Sequence, residues 1–142
     1  MPVFTEVHGD LFKCSEVNSL AHCVSQDMHM GKGIALFFKK IFGGCDDLRA
    51  QGAKVGDVAV LTRENRYIYY LVTKLKYSDK PTYADLESSL RKMKDHCLKN
   101  NVKHLAMPKI GCGLDRLQWT KVRDLIKTIF LDTDIIISIY VL

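Results

Sequence analysis

The sequence predicts an α/β protein, a three-layer α/β/α sandwich around a mixed central sheet. Near-continuous apolar runs, Tyr67 to Val72 and Ile135-Ile136-Ile137, suit strands covered on both faces. Amphipathic segments at helical spacing alternate with the strands and supply the cover. The chain has 142 residues, which fits one core and one domain spanning residues 1 to 142.

Phe4 to His8 loosely alternates apolar and polar residues, as a short strand does, and Gly9-Asp10 ends it before Leu11-Phe12. Ser19 to Val24 is a second strand. Gly31 to Phe42 reads as a helix with Ile34, Phe37, Phe38, Ile41 and Phe42 at helical spacing, and Gly43-Gly44 stops it. Asp57 to Thr62 and Tyr67 to Thr73 are rich in Val, Leu, Ile and Tyr, and the short link Arg63 to Arg66 makes them an antiparallel hairpin. Thr82 can cap a helix running to about Lys99, with Leu86, Leu90, Met93 and Cys97 as its apolar stripe and Arg91, Lys92 and Asp95 facing water. A strand at His104 to Met107 leads into a Gly-rich loop. A helix from Trp119 to Leu131 and a strand from Ile135 to Val141 complete the chain.

A composition of 47% hydrophobic and 26% charged residues excludes disordered and fibrous classes. No apolar run approaches the roughly 20 residues that span a bilayer, and no basic stretch precedes an apolar one at the N-terminus, so neither a membrane segment nor a signal peptide is expected. The 5 cysteines include no Cys-x-x-Cys pair and read as reduced thiols of an intracellular protein. The histidines His8, His22, His29, His96 and His104 show no ligand spacing with cysteine; they read as structural or surface residues, with no metal and no cofactor expected. A formal charge of +5 favours anionic ligands.

Three polar or Gly-rich segments follow strands and could converge on one cleft: Gly9-Asp10-Leu11, Ser25 to Ala35, and Lys109 to Asp115. In Met30-Gly31-Lys32-Gly33 the glycines permit close backbone approach, and the helix behind them aims its N–H groups at an anion; a tight turn is the equal alternative. In Pro108-Lys109-Ile110-Gly111-Cys112-Gly113-Leu114-Asp115 two glycines can form a nest of N–H groups, with Asp115 adding a carboxylate. The three-glycine dinucleotide fingerprint and the Gly-x-x-x-x-Gly-Lys-Ser/Thr loop are both missing, which disfavours nicotinamide oxidoreductases and ATPases of those classes. Cys23 and Cys112 invite a thiol-nucleophile reading, but no activating histidine accompanies them. Trp119, Tyr69 and Tyr70 read as core rather than as a stacking platform.

Gly9-Asp10-Leu11, the helix start at Gly31 to Ala35 and the loop Pro108 to Gly113 resemble the macro domain family, ADP-ribose-binding α/β/α modules. The longer strings Ser19 to Ser25, Tyr67 to Lys74 and Gly111 to Trp119 resemble its terminal ADP-ribose glycohydrolase branch. The commoner hydrolases of the family carry Asn-Ala-x-Asn where this chain has Ala21-His22-Cys23-Val24-Ser25. Many also carry an aromatic residue where this chain has Leu114-Asp115. The terminal branch shares both departures.

The resemblance implies an enzyme in which Lys74 attacks the anomeric carbon of the distal ribose and Asp115 handles protons. The expected reaction removes ADP-ribose from modified glutamate or aspartate and also deacylates O-acyl-ADP-ribose. A lysine with its free pKa of about 10.4 is a poor nucleophile, so its surroundings must favour the neutral amine during attack. The resemblance further implies that Asp10 accepts from the adenine amino group, with Leu11 offering a backbone contact, although a turn residue is the simpler reading of Asp10. It places Ser25 at the distal ribose and wraps the phosphates with Lys109, Ile110, Gly111, Cys112, Gly113 and Leu114. It also brings Leu142 near the ligand. ADP-ribose and ADP-ribosylated proteins are the expected partners, with ADP-ribosylated nucleic acid as a further one. A monomer in a nuclear or cytosolic setting is expected, away from membranes. A reader that binds ADP-ribose without turnover, or a nucleic-acid binder using the basic surface, are the alternatives from other classes.

Overall fold

A computed structural model describes residues 3–112 and 115–141. Six strands form one sheet: β1 (Val3–His8), β2 (Ser19–Ser25), β3 (Val58–Arg63), β4 (Arg66–Lys74), β5 (His104–Met107) and β6 (Ile136–Val141), in the order β1-β6-β5-β2-β4-β3. All neighbouring pairs are parallel except β3 and β4, so the sheet is mixed as expected. The hairpin pairs Arg63 with Arg66, leaving Glu64 and Asn65 as its turn. Both have positive φ, 54° and 67°, which matches the twist a two-residue hairpin turn needs.

The alternation within β4 shows how the layers arise. Tyr69 and Leu71 face α3 (Tyr83–Lys99) and α4 (Trp119–Ile129), joining Leu86, Leu90, Met93, Val122 and Ile126. Ile68, Tyr70 and Val72 face α1 (Gly33–Phe42) and α2 (Cys45–Ala50), joining Phe38 and Leu48. The inner strands β2 and β4 are therefore buried on both sides, which is why they carry little polar alternation. Among the described residues no helix is long and apolar enough to cross a membrane.

Helix α3 begins where the sequence places it. Thr82 Oγ1 accepts the Asp85 N–H at 3.1 Å and donates to the Asp85 carboxylate at 2.9 Å, so the two side chains close the first turn. Its buried stripe of Leu86, Leu90, Met93 and Cys97 is the predicted one. Tyr69 and Tyr70 are core residues, as expected. Trp119 is only partly buried: its indole N–H donates to Glu6 Oε1 at 2.9 Å, and the Lys109 ammonium lies 5.9 Å from its ring centroid.

Two elements depart from expectation. Helix α1 starts at Gly33 rather than Gly31, because residues before it fold back in a loop with positive φ at Met28 and Met30. Helix α2 has no counterpart in the sequence reading. Gly44, at φ 73°, serves as its N-cap, so the glycine pair that ends α1 also turns the chain into α2. A Cβ at Gly44 would stand 2.8 Å from Leu61 Cδ1, a second reason for glycine there.

Candidate functional site

The parallel strands bring their carboxyl ends to one edge of the sheet, where the connecting loops surround a cleft of about 740 Å³. That volume suits a ligand of nucleotide size. The segment Cys23 to Ser25, the start of α1, the end of β4 and the loop after β5 all contribute to its walls.

At the end of β4, Lys74 reaches Asp115, whose Oδ1 lies 2.6 Å from Lys74 Nζ. The two come from segments 41 residues apart and are each only 14% exposed. A rigid strand thus holds an amine in the cleft with a carboxylate against it, a proton acceptor already seated on a candidate nucleophile. Ser25 is paired with Lys74 across β2 and β4, after a shift in register between Val24 and Ser25. Its hydroxyl donates to Asp27 Oδ1.

The loop after β5 is shaped by Gly111, which takes φ 73°, and by the Leu117 N–H donating to the Gly111 carbonyl at 2.7 Å. Lys109, Ile110, Gly111 and Cys112 all line the cleft, and Ile110 also packs into the core beneath. Gly113, Leu114 and Leu142 lie outside the described residues. The start of α1 also lines the cleft, and Lys32 at its N-cap makes no side-chain cap, so the first-turn N–H groups there remain available to an anion.

Asp10 and Leu11 follow β1 on the same edge of the sheet as the cleft, outside the residues that line it. Asp10 Oδ1 accepts the Phe12 N–H at 3.0 Å and caps the short turn Leu11–Lys13, the role that turn chemistry assigns it. The Leu11 side chain is buried in the core under α1.

The cysteines of the cleft are poor nucleophiles. Burial first, and then the charge of Asp115, push the Cys23 thiol up to about 12. Burial also raises Cys112. Both therefore stay protonated at neutral pH. Among the described residues no group of three or more His, Cys, Asp or Glu side chains is arranged to hold a metal ion.

His22, read from the sequence as a structural or surface histidine, is structural: it lies among the residues lining the cleft and is completely buried. Its ring stacks on Phe38 with centroids 3.7 Å apart and meets Tyr70 edge-on at 4.7 Å. Neither ring nitrogen has a protein partner. Burial lowers its pKa from 6.5 to about 3, so the imidazole is neutral in the fold. The unfolded chain binds a proton below pH 6.5 and the folded chain does not, so this contribution to stability is complete above 6.5 and lost as the pH falls toward 3. Between pH 7 and pH 5 His22 is expected to cost the fold about 2 kcal/mol. Denaturant unfolding at the two pH values checks this: His22→Phe should remove that part of the decline, and an unchanged slope in the variant would refute it.

Comparison with known proteins agrees with this architecture. Over 138 residues, 97% of this chain and 91% of the relative, the sequence is 58% identical to ADP-ribose glycohydrolase OARD1 of Homo sapiens. It is 57% identical over the same coverage to the Bos taurus protein of that name. The macrodomain of Thermus aquaticus DarG superposes with a TM-score of 0.87 at 23% identity, covering 100% of both chains, a likeness of fold. Thermosipho africanus DarTG in complex with ADP-ribose gives 0.77 at 26% identity, covering 93% of this chain and 39% of that one. The family model described as Macro domain matches residues 21–126, from the middle of β2 into α4 and so around the whole Lys74–Asp115 cleft. By that span and by its identity to curated members, the chain belongs to the macro domain family.

Proposed function

We propose that this protein is an ADP-ribose glycohydrolase that releases ADP-ribose from mono-ADP-ribosylated glutamate or aspartate side chains through a covalent adduct on Lys74. The observation that carries the reading is the Lys74 Nζ to Asp115 Oδ1 contact of 2.6 Å inside the cleft. The 58% identity to an ADP-ribose glycohydrolase supports the reaction class.

The chemistry follows from the pair. Asp115 takes a proton from Lys74, leaving an amine lone pair to attack the anomeric carbon of the distal ribose. A C–N bond forms as the C–O bond to the acceptor breaks, and the acceptor departs as a carboxylate, a good leaving group. Protonated Asp115 gives its proton to the ring oxygen as the ring C–O bond breaks, then takes one of the two protons on the new C–N nitrogen and passes it to solvent, so the ring opens to a protonated Schiff base on Lys74 and Asp115 is again a carboxylate. Asp115 deprotonates the water that adds to the imine carbon and returns that proton to the nitrogen; it then takes the proton of the new hydroxyl as the C–N bond breaks, freeing ADP-ribose and regenerating the amine. An acyl group on the anomeric oxygen of ADP-ribose leaves as a carboxylate in the same way, which brings O-acyl-ADP-ribose within reach. The pyrophosphate is held by the N–H groups at the start of α1 and around Gly111, a reading supported by the uncapped first turn of that helix.

Two substrates test this: a glutamate-linked mono-ADP-ribosylated protein and an ADP-ribosylated oligonucleotide. Release from the first, with a cyanoborohydride-trapped ADP-ribose adduct mapping to Lys74, is expected. Binding of ADP-ribose with no release from the glutamate linkage would defeat the reading. Release from the oligonucleotide alone would favour a second one, supported by 27% identity over 85% of this chain to a DNA ADP-ribosyl glycohydrolase of Thermus aquaticus, of which the chain spans 36%.

A further inference from the structure

The mouth of the cleft holds an aromatic contact that the reaction above does not use. Between Ser25 and α1 the chain folds back on itself. Met28 and Met30 adopt φ of 54° and 46°, a region that disfavours residues other than glycine, and both side chains are buried in the core beneath. The fold-back turns His29 outward over Gly31, where a Cβ would stand 2.7 Å from His29 Nε2. The segment after the neighbouring strand β4 brings Tyr77 face to face with His29, with centroids 4.2 Å apart and planes 21° from parallel.

One carboxylate ties the two segments together. Asp27 Oδ1 accepts from the Ser25 hydroxyl and, at 3.1 Å, from the His29 N–H; its Oδ2 accepts the Tyr77 N–H at 3.4 Å. Partial burial opposes ionisation, but these hydrogen bonds outweigh it and hold the Asp27 carboxyl below its ordinary range. His29 and Tyr77 both line the cleft that contains Lys74 and Asp115. The Tyr77 side is the weaker anchorage: the residue is 53% exposed and is held by the ring contact and one long hydrogen bond.

We propose that the stacked His29–Tyr77 pair is a specificity strap for the acceptor side of the substrate, bridging the mouth beside Lys74 and Asp115. ADP-ribose bearing a small acyl group seats beneath the closed strap. ADP-ribose on a folded protein surface seats only when Tyr77 swings away. The placement follows from register: Ser25 pairs with Lys74, and the two strap residues lie four positions beyond Ser25 and three beyond Lys74, on the acceptor side of the amine. The substrate part of the proposal rests on the glycohydrolase reading; its effect on ligand escape rests on the geometry alone.

Stopped-flow dissociation of ADP-ribose from wild type, Tyr77→Ala, His29→Ala, the double variant and Tyr77→Phe reads the strap directly. Each alanine variant is expected to release ADP-ribose about 3- to 10-fold faster, the scale of one lost aromatic pair. The double variant should go no further than either single one, and Tyr77→Phe should match wild type. The ratio of kcat/KM on the protein-linked substrate to that on O-acyl-ADP-ribose should rise in the alanine variants. Unchanged dissociation in Tyr77→Ala, additive effects in the double variant, or equal changes on both substrates would overturn the proposal. A wild type that turns over neither substrate would defeat the glycohydrolase reading instead, and the dissociation rates would still decide the strap.

Discussion

Lys74→Ala is expected to lower release of ADP-ribose from a glutamate-linked substrate by at least about 10³-fold while leaving ADP-ribose binding largely intact. The amine is the bond-forming atom in the proposed reaction, and the Cys23 thiol does not replace it, because burial pushes that thiol up to about 12 and keeps it protonated. Asp115→Asn should be nearly as damaging, because the amide keeps the shape of the carboxylate but cannot take the proton from Lys74 Nζ 2.6 Å away. The two residues act as one unit, so the double variant should be about as slow as the worse single one. Single-turnover kinetics beside titration of ADP-ribose separates chemistry from binding. Retention of most activity in Lys74→Ala would remove the covalent step from the mechanism.

Phe38→Ala should be the most costly single change to the fold among the aromatic residues of α1, about 3–5 kcal/mol. Phe38 is fully buried and packs against His22, Phe12, Phe42 and Tyr70 at once, so removing it leaves a cavity that four rings cannot all relax to fill. The next residue on the same helix is the control: Phe37 is 56% exposed, and Phe37→Ala should change stability by no more than about 0.5 kcal/mol. Urea unfolding measures both. Equal losses would show that the helix is held by its exposed side as much as by its buried one. Opening the site above His22 should also flatten the acid dependence of stability, since the imidazole then meets water in the folded state.

What could be read from the chain followed the range of the physics involved. Strands such as Tyr67 to Val72 and the helix capped by Thr82 announce themselves because their burial or capping is decided by residues a few positions apart. Helix α2 escaped notice because it is six residues long, buries only Leu48, and presents Asp46, Asp47 and Arg49. Asp10 was legible as a turn former, and its carboxylate caps the turn that follows. The contact between Lys74 and Asp115 spans 41 residues and has no local pattern; resemblance to a family named both residues before geometry joined them. His22 and Phe38 are parts of different elements, and no spacing rule foretells that one will lie flat on the other. The aromatic contact at the mouth depends on positive φ at two methionines, where sequence reasoning assigned the tight turn to the neighbouring glycines.

The position of β6 in the sheet has a consequence for how the protein is made. The first strand pairs with the last alone, Val3 beside Ile136, and β6 separates β1 from β5. As the chain leaves the ribosome, β1 therefore emerges without a partner and waits through the synthesis of everything between, on the order of ten seconds at ordinary elongation rates. By the end of that interval β1 and one side of the newly made β5 both present unpaired backbone, the kind of edge that recruits other chains. Arrival of the final strand satisfies both edges in a single event. A nascent chain stalled before Ile136 is thus the species most in need of a chaperone.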